Sequence, residues 1–275
     1  MALHTVAGLT GADLDLFTRL SENQLKHYYE PHGGLFLAES LKTVERALAS
    51  GCEPAAMLIE DKYRTHPLVV RYLEKIPVYE APFPVLKQLV GYSMTGGMVC
   101  AMRRPLLPDA EEILRGRRRI AVLDHVTNQT NVGAIFRSAA ALGMEGILVT
   151  KSSCDPLYRR SVRVSMGTVF RIPWTIVGDA GYLPLLKKNG FLTGAMALRE
   201  ASVPADSPVL REAPRLALIL GNEGYGLPDE VIEACDRTVM IPMAEGVDSL
   251  NVAAAAAVAF WSAVPRDPHN SQSDL

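Results

Sequence analysis

Three short segments in the second half of the chain combine residue types that bind ligands or carry charge. In Asn131-Val132-Gly133-Ala134-Ile135-Phe136-Arg137, an amide side chain stands where a helix is expected to begin, and a glycine permits close approach of a ligand or a neighbouring backbone. Arg137 follows about one and a half turns in. An arginine there reaches a phosphate with several donors at once, although a capped helix with a solvated Arg137 accounts for this segment equally well. In Gly221-Asn222-Glu223-Gly224-Tyr225-Gly226-Leu227 the glycines free the backbone to fold around a ligand and offer it unhindered amides. A tight turn explains one or two of those glycines but not the embedded Glu223. The order is G-x-x-G-x-G, which is neither a dinucleotide fingerprint nor, lacking Lys-Ser or Lys-Thr, a phosphate loop. In Ile241-Pro242-Met243-Ala244-Glu245-Gly246-Val247-Asp248-Ser249-Leu250-Asn251 a strand runs into a proline. Ser249 then opens the last helix, either as its N-cap or, with Asn251, as a ligand contact.

Other chemistries lack their residues. There is no G-x-S-x-G elbow, and although Asp124 and His125 are adjacent, no serine partner is marked. Cys52, Cys100, Cys154 and Cys235 lie far apart without a Cys-x-x-Cys pair, so reduced thiols are expected rather than disulfides or a zinc site, and no metal is expected.

The elements that must position these segments form two α/β series. The first has helices expected over Ser21–Tyr29, Glu39–Ala49, Pro67–Leu73 and Pro84–Val90, and strands over Leu35–Ala38, Ala55–Ile59, Val78–Tyr79 and Met98–Met102. Together they make a small α/β/α sandwich over residues 1–104. Two prolines in Arg103-Arg104-Pro105-Leu106-Leu107-Pro108 mark a joint, and residues 105–118 read as a linker with a short helix from Asp109. In the second series, over 119–264, strands are expected at Ile120–Leu123, Gly146–Val149, Gly194–Ala197, Leu216–Leu220 and Thr238–Ile241. Helices are expected at Val132–Leu142 and Ser249–Ala263. Such short, continuous apolar runs suit a mostly parallel sheet covered on both faces. All three segments above then fall at strand ends, where open α/β sheets bind ligands. The polar tail, 265–275, is expected to be flexible. The alanine-rich last helix fits either a tight core or a dimer contact.

An apolar fraction of 48%, a charged fraction of 21% and a mean hydropathy of +0.11 describe an ordinary globular chain. No apolar run is long enough to span a membrane, and the first residues lack the features of a secretory signal, so a cytoplasmic protein is expected. The net charge of −2 hides an asymmetry: between Arg103 and Arg171 there are twelve Arg and Lys against six Asp and Glu. A basic stretch in an otherwise acidic chain is consistent with an anionic partner and with an ordinary solvated surface.

Taken together, N-x-G-A-I-x-R, then G-N-E-G-x-G-L, then I-P-M followed by S-L-N-V resemble the SpoU family of RNA methyltransferases in the knotted SPOUT superfamily, over essentially all of Ile120 to Ala263. Phe36-Leu37-Ala38-Glu39-Ser40 and its helix resemble, less specifically, the ribosomal-protein-like RNA-binding domain that precedes the catalytic domain in many members. The resemblance implies a deep trefoil knot formed in the region of Gly221 to Asn251, and a homodimer with its site near the subunit interface. It implies S-adenosylmethionine as cofactor, with backbone groups at Gly221, Ile241 and Leu250 around the adenine and Asn222, Gly226 and Met243 beside them. Asn131, Arg137, Glu223, Ser249 and Asn251 match the residues lining the methyl-transfer site, where a ribose 2′-hydroxyl is methylated. Arg137 would either take the hydroxyl proton or orient a phosphate and stabilise the developing alkoxide. Arg115, Arg117, Arg118 and Arg119 are then expected to track an RNA backbone. Ribosomal RNA is the favoured substrate, by analogy, over transfer RNA. The rival readings are an inactive RNA-binding protein of the same fold and a nicotinamide oxidoreductase, the latter disfavoured by the glycine order.

Overall fold

The computed structural model describes residues 3–5, 14–29, 33–90, 96–246 and 249–265. Residues 247 and 248 of the third segment, and the expected tail beyond 265, lie outside the described residues. The chain divides into two compact units. The first comprises Met1–Leu106 with Pro156–Arg171, and the second Leu107–Asp155 with Ile172–Leu275.

The first unit runs β1 (Leu3–Thr5), α1 (Asp15–Thr18), α2 (Glu22–Lys26), β2 (Leu35–Glu39), α3 (Leu41–Ala49), β3 (Pro54–Glu60), α4 (Pro67–Tyr72), β4 (Val78–Ala81), α5 (Phe83–Val90) and β5 (Met98–Arg103). Its five strands form one mixed sheet in the order β1-β4-β3-β5-β2, with β5 antiparallel to both of its neighbours. Ser21 and Gln24 cap α2 reciprocally. Glu39, expected in a helix, instead ends β2, and Ser40 turns the chain at φ 75° and caps α3 through the Thr43 amide. Phe17, Leu37, Leu58 and Val99 lie in the core on one side of the sheet. The distant segment Pro156–Arg171 is built into this unit by charge and by ring packing. Arg159 pairs with buried Glu39 and takes the Glu22 carboxylate on its amide at 2.7 Å, while Phe170 sits 5.5 Å from Phe36.

The second unit and the segment it lends run α6 (Ala110–Leu114), β6 (Arg119–Leu123), α7 (Gln129–Leu142), β7 (Gly146–Thr150), α8 (Arg159–Val164, in the lent segment), β8 (Trp174–Val177), α9 (Tyr182–Lys188), β9 (Leu192–Met196), β10 (Val203–Pro204), α10 (Pro208–Arg211), β11 (Leu216–Leu220), α11 (Asp229–Ala234), β12 (Arg237–Met240) and α12 (Val252–Ala263). Seven strands in the order β10-β12-β9-β11-β6-β7-β8 pair parallel throughout. Every residue of β6, β7 and β11 is buried, as continuous runs such as Leu-Ala-Leu-Ile-Leu require when helices cover both faces. One face packs Ile113, Leu114, Tyr182 and Leu186 onto the sheet. Elsewhere in the unit α7 and α12 pack together, and Phe136 of α7, fully buried, meets Trp174 edge-on at 5.9 Å. Burying such a ring contributes about 2–3 kcal/mol. Strand β8 was not expected: four residues between Pro173 and Gly178, one of them threonine, carry little periodic signal.

Two helix starts differ from expectation. Asn128, not Asn131, caps α7, its side chain accepting from the Thr130 and Asn131 amides, so the helix begins before Val132. Asn251, not Ser249, caps α12 by accepting from the Ala253 amide at 3.0 Å. Gly143, at φ 88°, ends α7 in the left-handed conformation that suits glycine.

Candidate functional site

Strands β6 and β11 are neighbours with Leu123 beside Leu220, and the Asp124 amide still donates to the Leu220 carbonyl at 2.8 Å just past the strand end. From β6 the sheet grows through β7 and β8 in one direction, and from β11 through β9 and β12 in the other. The ends of β6 and β11 therefore flank the point where connectivity reverses, the usual ligand position in such sheets.

After β11 the chain forms a tight loop. Asn222 and Gly226 exchange backbone hydrogen bonds of 3.0 Å each, and the Asn222 side chain receives the amides of Gly224 at 2.8 Å and Tyr225 at 3.1 Å while donating to the His125 carbonyl at 2.9 Å. The Asn222 amide thus builds the loop and ties it to the end of β6. A Cβ on Gly221 would lie 2.5 Å from the Gly226 carbonyl carbon and 2.6 Å from the Leu227 nitrogen, so the loop closes only over glycine at this position. Gly226 has φ 71°.

The loop carries Glu223 to the start of α7. Its carboxylate accepts from the Asn128 amide at 3.0 Å, from the Thr127 amide at 3.3 Å and from Asn131 Nδ2 at 3.0 Å. A helix N-terminus favours an anion there. Burial works to raise the Glu223 pKa, but the bonds donated by Asn131, Asn128 and Thr127 outweigh it and hold the carboxyl below its ordinary value. A carboxylate only accepts, so Asn131 must turn its NH2 toward Glu223. Its Oδ1 then faces Asn251, whose Nδ2 donates to it at 3.1 Å, leaving Asn251 Oδ1 to cap α12. A single run of hydrogen bonds, Glu223 to Asn131 to Asn251, joins all three segments.

Beside this run lies a cleft of about 560 Å³, a size suited to a cofactor. Gly221, Asn222, Glu223, Gly226, Ile241 and Met243 line it, as do Ser249 and Leu250. Leu220 and Val239 add apolar wall. Asn131 and Asn251 are outside that lining and reach it through the hydrogen bond to Glu223. Arg137 lies further along α7, is exposed, and makes no hydrogen bond or ion pair among the described residues. The structure does not join it to the Asn131 run.

The four arginines expected to track RNA divide. Arg119 is only 6% exposed and donates to the carbonyls of Ala263 at 3.1 Å, Arg211 at 2.8 Å and Arg118 at 3.0 Å, so it is a buried clasp on the end of α12. Arg117 is half-buried and caps the carbonyls of Glu112 and Ile113 at the end of α6. Burial takes Arg119 off the surface expected to track RNA, and in Arg117 one guanidinium nitrogen serves backbone carbonyls. Arg115 and Arg118 are exposed. All four lie at or before the start of β6, the end of that strand remote from Asp124 and the glycine loop.

Sequence reasoning passed over two features. Thr127 and Asn128 supply the main-chain donors for Glu223; Asn128, three residues before Asn131, was the available signal. Asp124, 1% exposed at the end of β6, accepts from Tyr182 Oη at 2.6 Å and lies 2.6 Å from His125 Nδ1. Burial first, and the bond to Asp124 second, push the Tyr182 phenol well above its ordinary range, so it stays a donor.

The SpoU rRNA methylase family matches this chain over residues 118–261. An uncharacterized tRNA/rRNA methyltransferase of Mycobacterium bovis is 35% identical over 229 residues, 82% of this chain and 80% of the relative. The 23S rRNA (guanosine-2′-O-)-methyltransferase RlmB of Acinetobacter baylyi is 31% identical over 196 residues, 68% of this chain and 78% of that protein. The solved structure of an AdoMet-bound rRNA methyltransferase from Sinorhizobium meliloti shares the fold, with a TM-score of 0.81 at 24% identity over 95% of this chain and 97% of that one. With its three segments drawn together at the reversal point of a parallel sheet, this chain belongs to the SpoU rRNA methylase family.

Proposed function

We propose that this protein is an RNA methyltransferase that moves the methyl group of S-adenosylmethionine to a ribose 2′-hydroxyl. The observation that carries the reading is the run Glu223–Asn131–Asn251 beside the 560 Å³ cleft, in a chain of this family. The cleft fits the cofactor: glycine backbone at Gly221 and Gly226 allows close approach, and Leu220, Val239, Ile241 and Met243 offer apolar surface to an adenine. When bound, the cofactor supplies an electrophilic methyl on a sulfonium.

The residues of this chain orient and polarise. A ribose hydroxyl is a weak nucleophile at neutral pH, and holding it in line recovers much of the barrier. A guanidinium is a permanent cation, so Arg137, unpaired among the described residues, holds the substrate phosphate and stabilises the developing alkoxide. Ser249, at the cleft wall, directs the reacting ribose, and Glu223 keeps Asn131 and Asn251 in one orientation. No metal enters this scheme.

Ribosomal RNA is the preferred substrate class in this reading, supported by the RlmB relative and by an additional α/β unit built mainly from residues ahead of the family-matched region. The first unit, residues 1–106 with Pro156–Arg171, binds the RNA, and the second catalyses. The stretch from Gly221 to Asn251 is the threaded part of a deep trefoil knot. The enzyme works in the cytoplasm as a homodimer, an assembly that gives a use to Val258 and Trp261 of α12, 40% and 60% exposed on an otherwise apolar helix. Calorimetric titration with S-adenosylmethionine tests the cofactor, and absence of binding sinks the reading. Mapping 2′-O-methylation in ribosomal and transfer RNA from cells with and without the gene tests the substrate; a missing methyl in transfer RNA alone would overturn the ribosomal preference.

A further inference from the structure

Two side chains, Tyr225 in the cleft wall and the partly exposed His125, carry rings on backbones fixed by the same amide. Tyr225, at the tip of the glycine loop, is 96% exposed, and its N–H donates to Asn222 Oδ1 at 3.1 Å. His125, just past β6, receives Asn222 Nδ2 on its carbonyl at 2.9 Å. The His125 backbone is held at φ 57°, and its amide donates to Thr150 Oγ1 at 3.2 Å. Its ring is steadied by buried Asp124 at Nδ1, while the side chain remains 44% exposed. A wholly exposed tyrosine on a loop this tightly tied contributes nothing to the core, and its exposure is not the product of a slack backbone. Neither ring is needed by the Glu223–Asn131–Asn251 run.

We infer that Tyr225 and His125 form a stacking platform that takes up unpaired nucleobases of the substrate RNA, the target nucleotide on Tyr225 and a neighbour on His125. Aromatic faces hold bases only where these are unstacked and splayed from their strand, as in loops and bulges, and they do so with little regard to base identity. The substrate is accordingly a single-stranded segment of RNA rather than a duplex. Asn222 acts as a positioning residue by setting the two rings on either side of one hydrogen-bonded amide. This rests on the RNA methyltransferase reading and adds to it the form in which RNA is presented.

The test uses the full-length protein, a fluorescently labelled single-stranded oligoribonucleotide, and the same strand annealed to its complement. Equilibrium anisotropy should show wild type preferring the single strand. Tyr225→Ala should weaken that binding about tenfold and leave duplex binding alone, and Tyr225→Phe should restore it. His125→Asn, which tolerates the positive φ, should cost a smaller factor in the same direction. Single-strand affinity unchanged in Tyr225→Ala overturns the inference. So does a loss falling on S-adenosylmethionine affinity instead, since the ring would then cover the cofactor, or a change in sedimenting mass, since it would then join two copies. Methyl transfer by wild type to ribosomal RNA is measured alongside: its absence counts against the enzyme reading, whereas a Tyr225→Ala result at wild-type affinity counts against the platform alone.

Discussion

Asn131 Nδ2 lies 3.0 Å from a Glu223 carboxylate oxygen, and that contact decides which way the Asn131 amide faces. Replacing Glu223 with Gln turns an acceptor-only group into one that must point an NH2 at some of its donors, Thr127 N, Asn128 N or Asn131 Nδ2. Glu223→Gln is expected to lower stability by about 1–2 kcal/mol, read as a fall in Tm, and to reduce turnover more than cofactor affinity. The pH dependence follows the same carboxylate. Its folded pKa is depressed, so its contribution is complete above the ordinary glutamate value of about 4.3 and is lost as pH falls through the lower folded value. The Tm difference between wild type and Glu223→Gln should shrink over that acid window. A constant difference would show that the charge is irrelevant.

Arg137 is expected to behave in the opposite manner. Exposed and unpaired among the described residues, it has no fold to hold, so Arg137→Ala should leave Tm within about 0.5 kcal/mol equivalent and S-adenosylmethionine binding nearly intact. Turnover should fall by about 10²-fold or more. Arg137→Lys should fail likewise, because a point charge does not reproduce the planar fork. Full activity in either variant would remove Arg137 from the chemistry.

Much of this arrangement is legible in the amino-acid sequence. The strands Leu216–Leu220 and Ile120–Leu123 announce themselves by unbroken apolar runs, and the three segments fall at strand ends because loops with glycine and proline follow such runs. What was not legible is partner choice. Asn128 and Asn131 are equally good caps by type and spacing. The choice between them is made by Glu223, far along the chain, which claims the Asn131 side chain. Ser249 and Asn251 pose the same problem, resolved by Asn131. The arginine run Arg117-Arg118-Arg119 reads as one surface, yet the strand that starts at Arg119 takes that side chain inside.

Gly221 offers a sharper probe of the loop than any polar residue in it. Gly221→Ala places a methyl 2.5 Å from backbone that has no side chain to move aside. The variant is expected to lose about 1–3 kcal/mol and to bind S-adenosylmethionine at least tenfold more weakly. Gly224→Ala, whose Cβ meets only Asn222 Oδ1 at 3.5 Å, should be far milder. Equal effects at the two positions would mean the loop opens freely.

The basic cluster yields a split experiment. Arg119→Ala should destabilise by about 2–3 kcal/mol by stranding the carbonyls of Ala263 and Arg211, without altering the salt dependence of RNA binding beyond its effect on folding. Neutralising Arg115 and Arg118 together should leave Tm unchanged and reduce the slope of log affinity against log salt by about 1.4 on a single strand. An unchanged slope removes the cluster from the interface altogether.

The placement of Pro156–Arg171 in the first unit governs the order in which a growing chain becomes able to fold. Glu39, buried at the end of β2, waits for the charge of Arg159, and Phe36 waits for Phe170. A ribosome that has delivered all of β5 has therefore delivered every strand of the first sheet but not the segment that completes the first unit. Completion of the N-terminal unit is deferred until β6 and β7 have left the exit tunnel, so the two units mature as interleaved halves rather than one after the other. For the same reason no single cut in the chain yields both units whole.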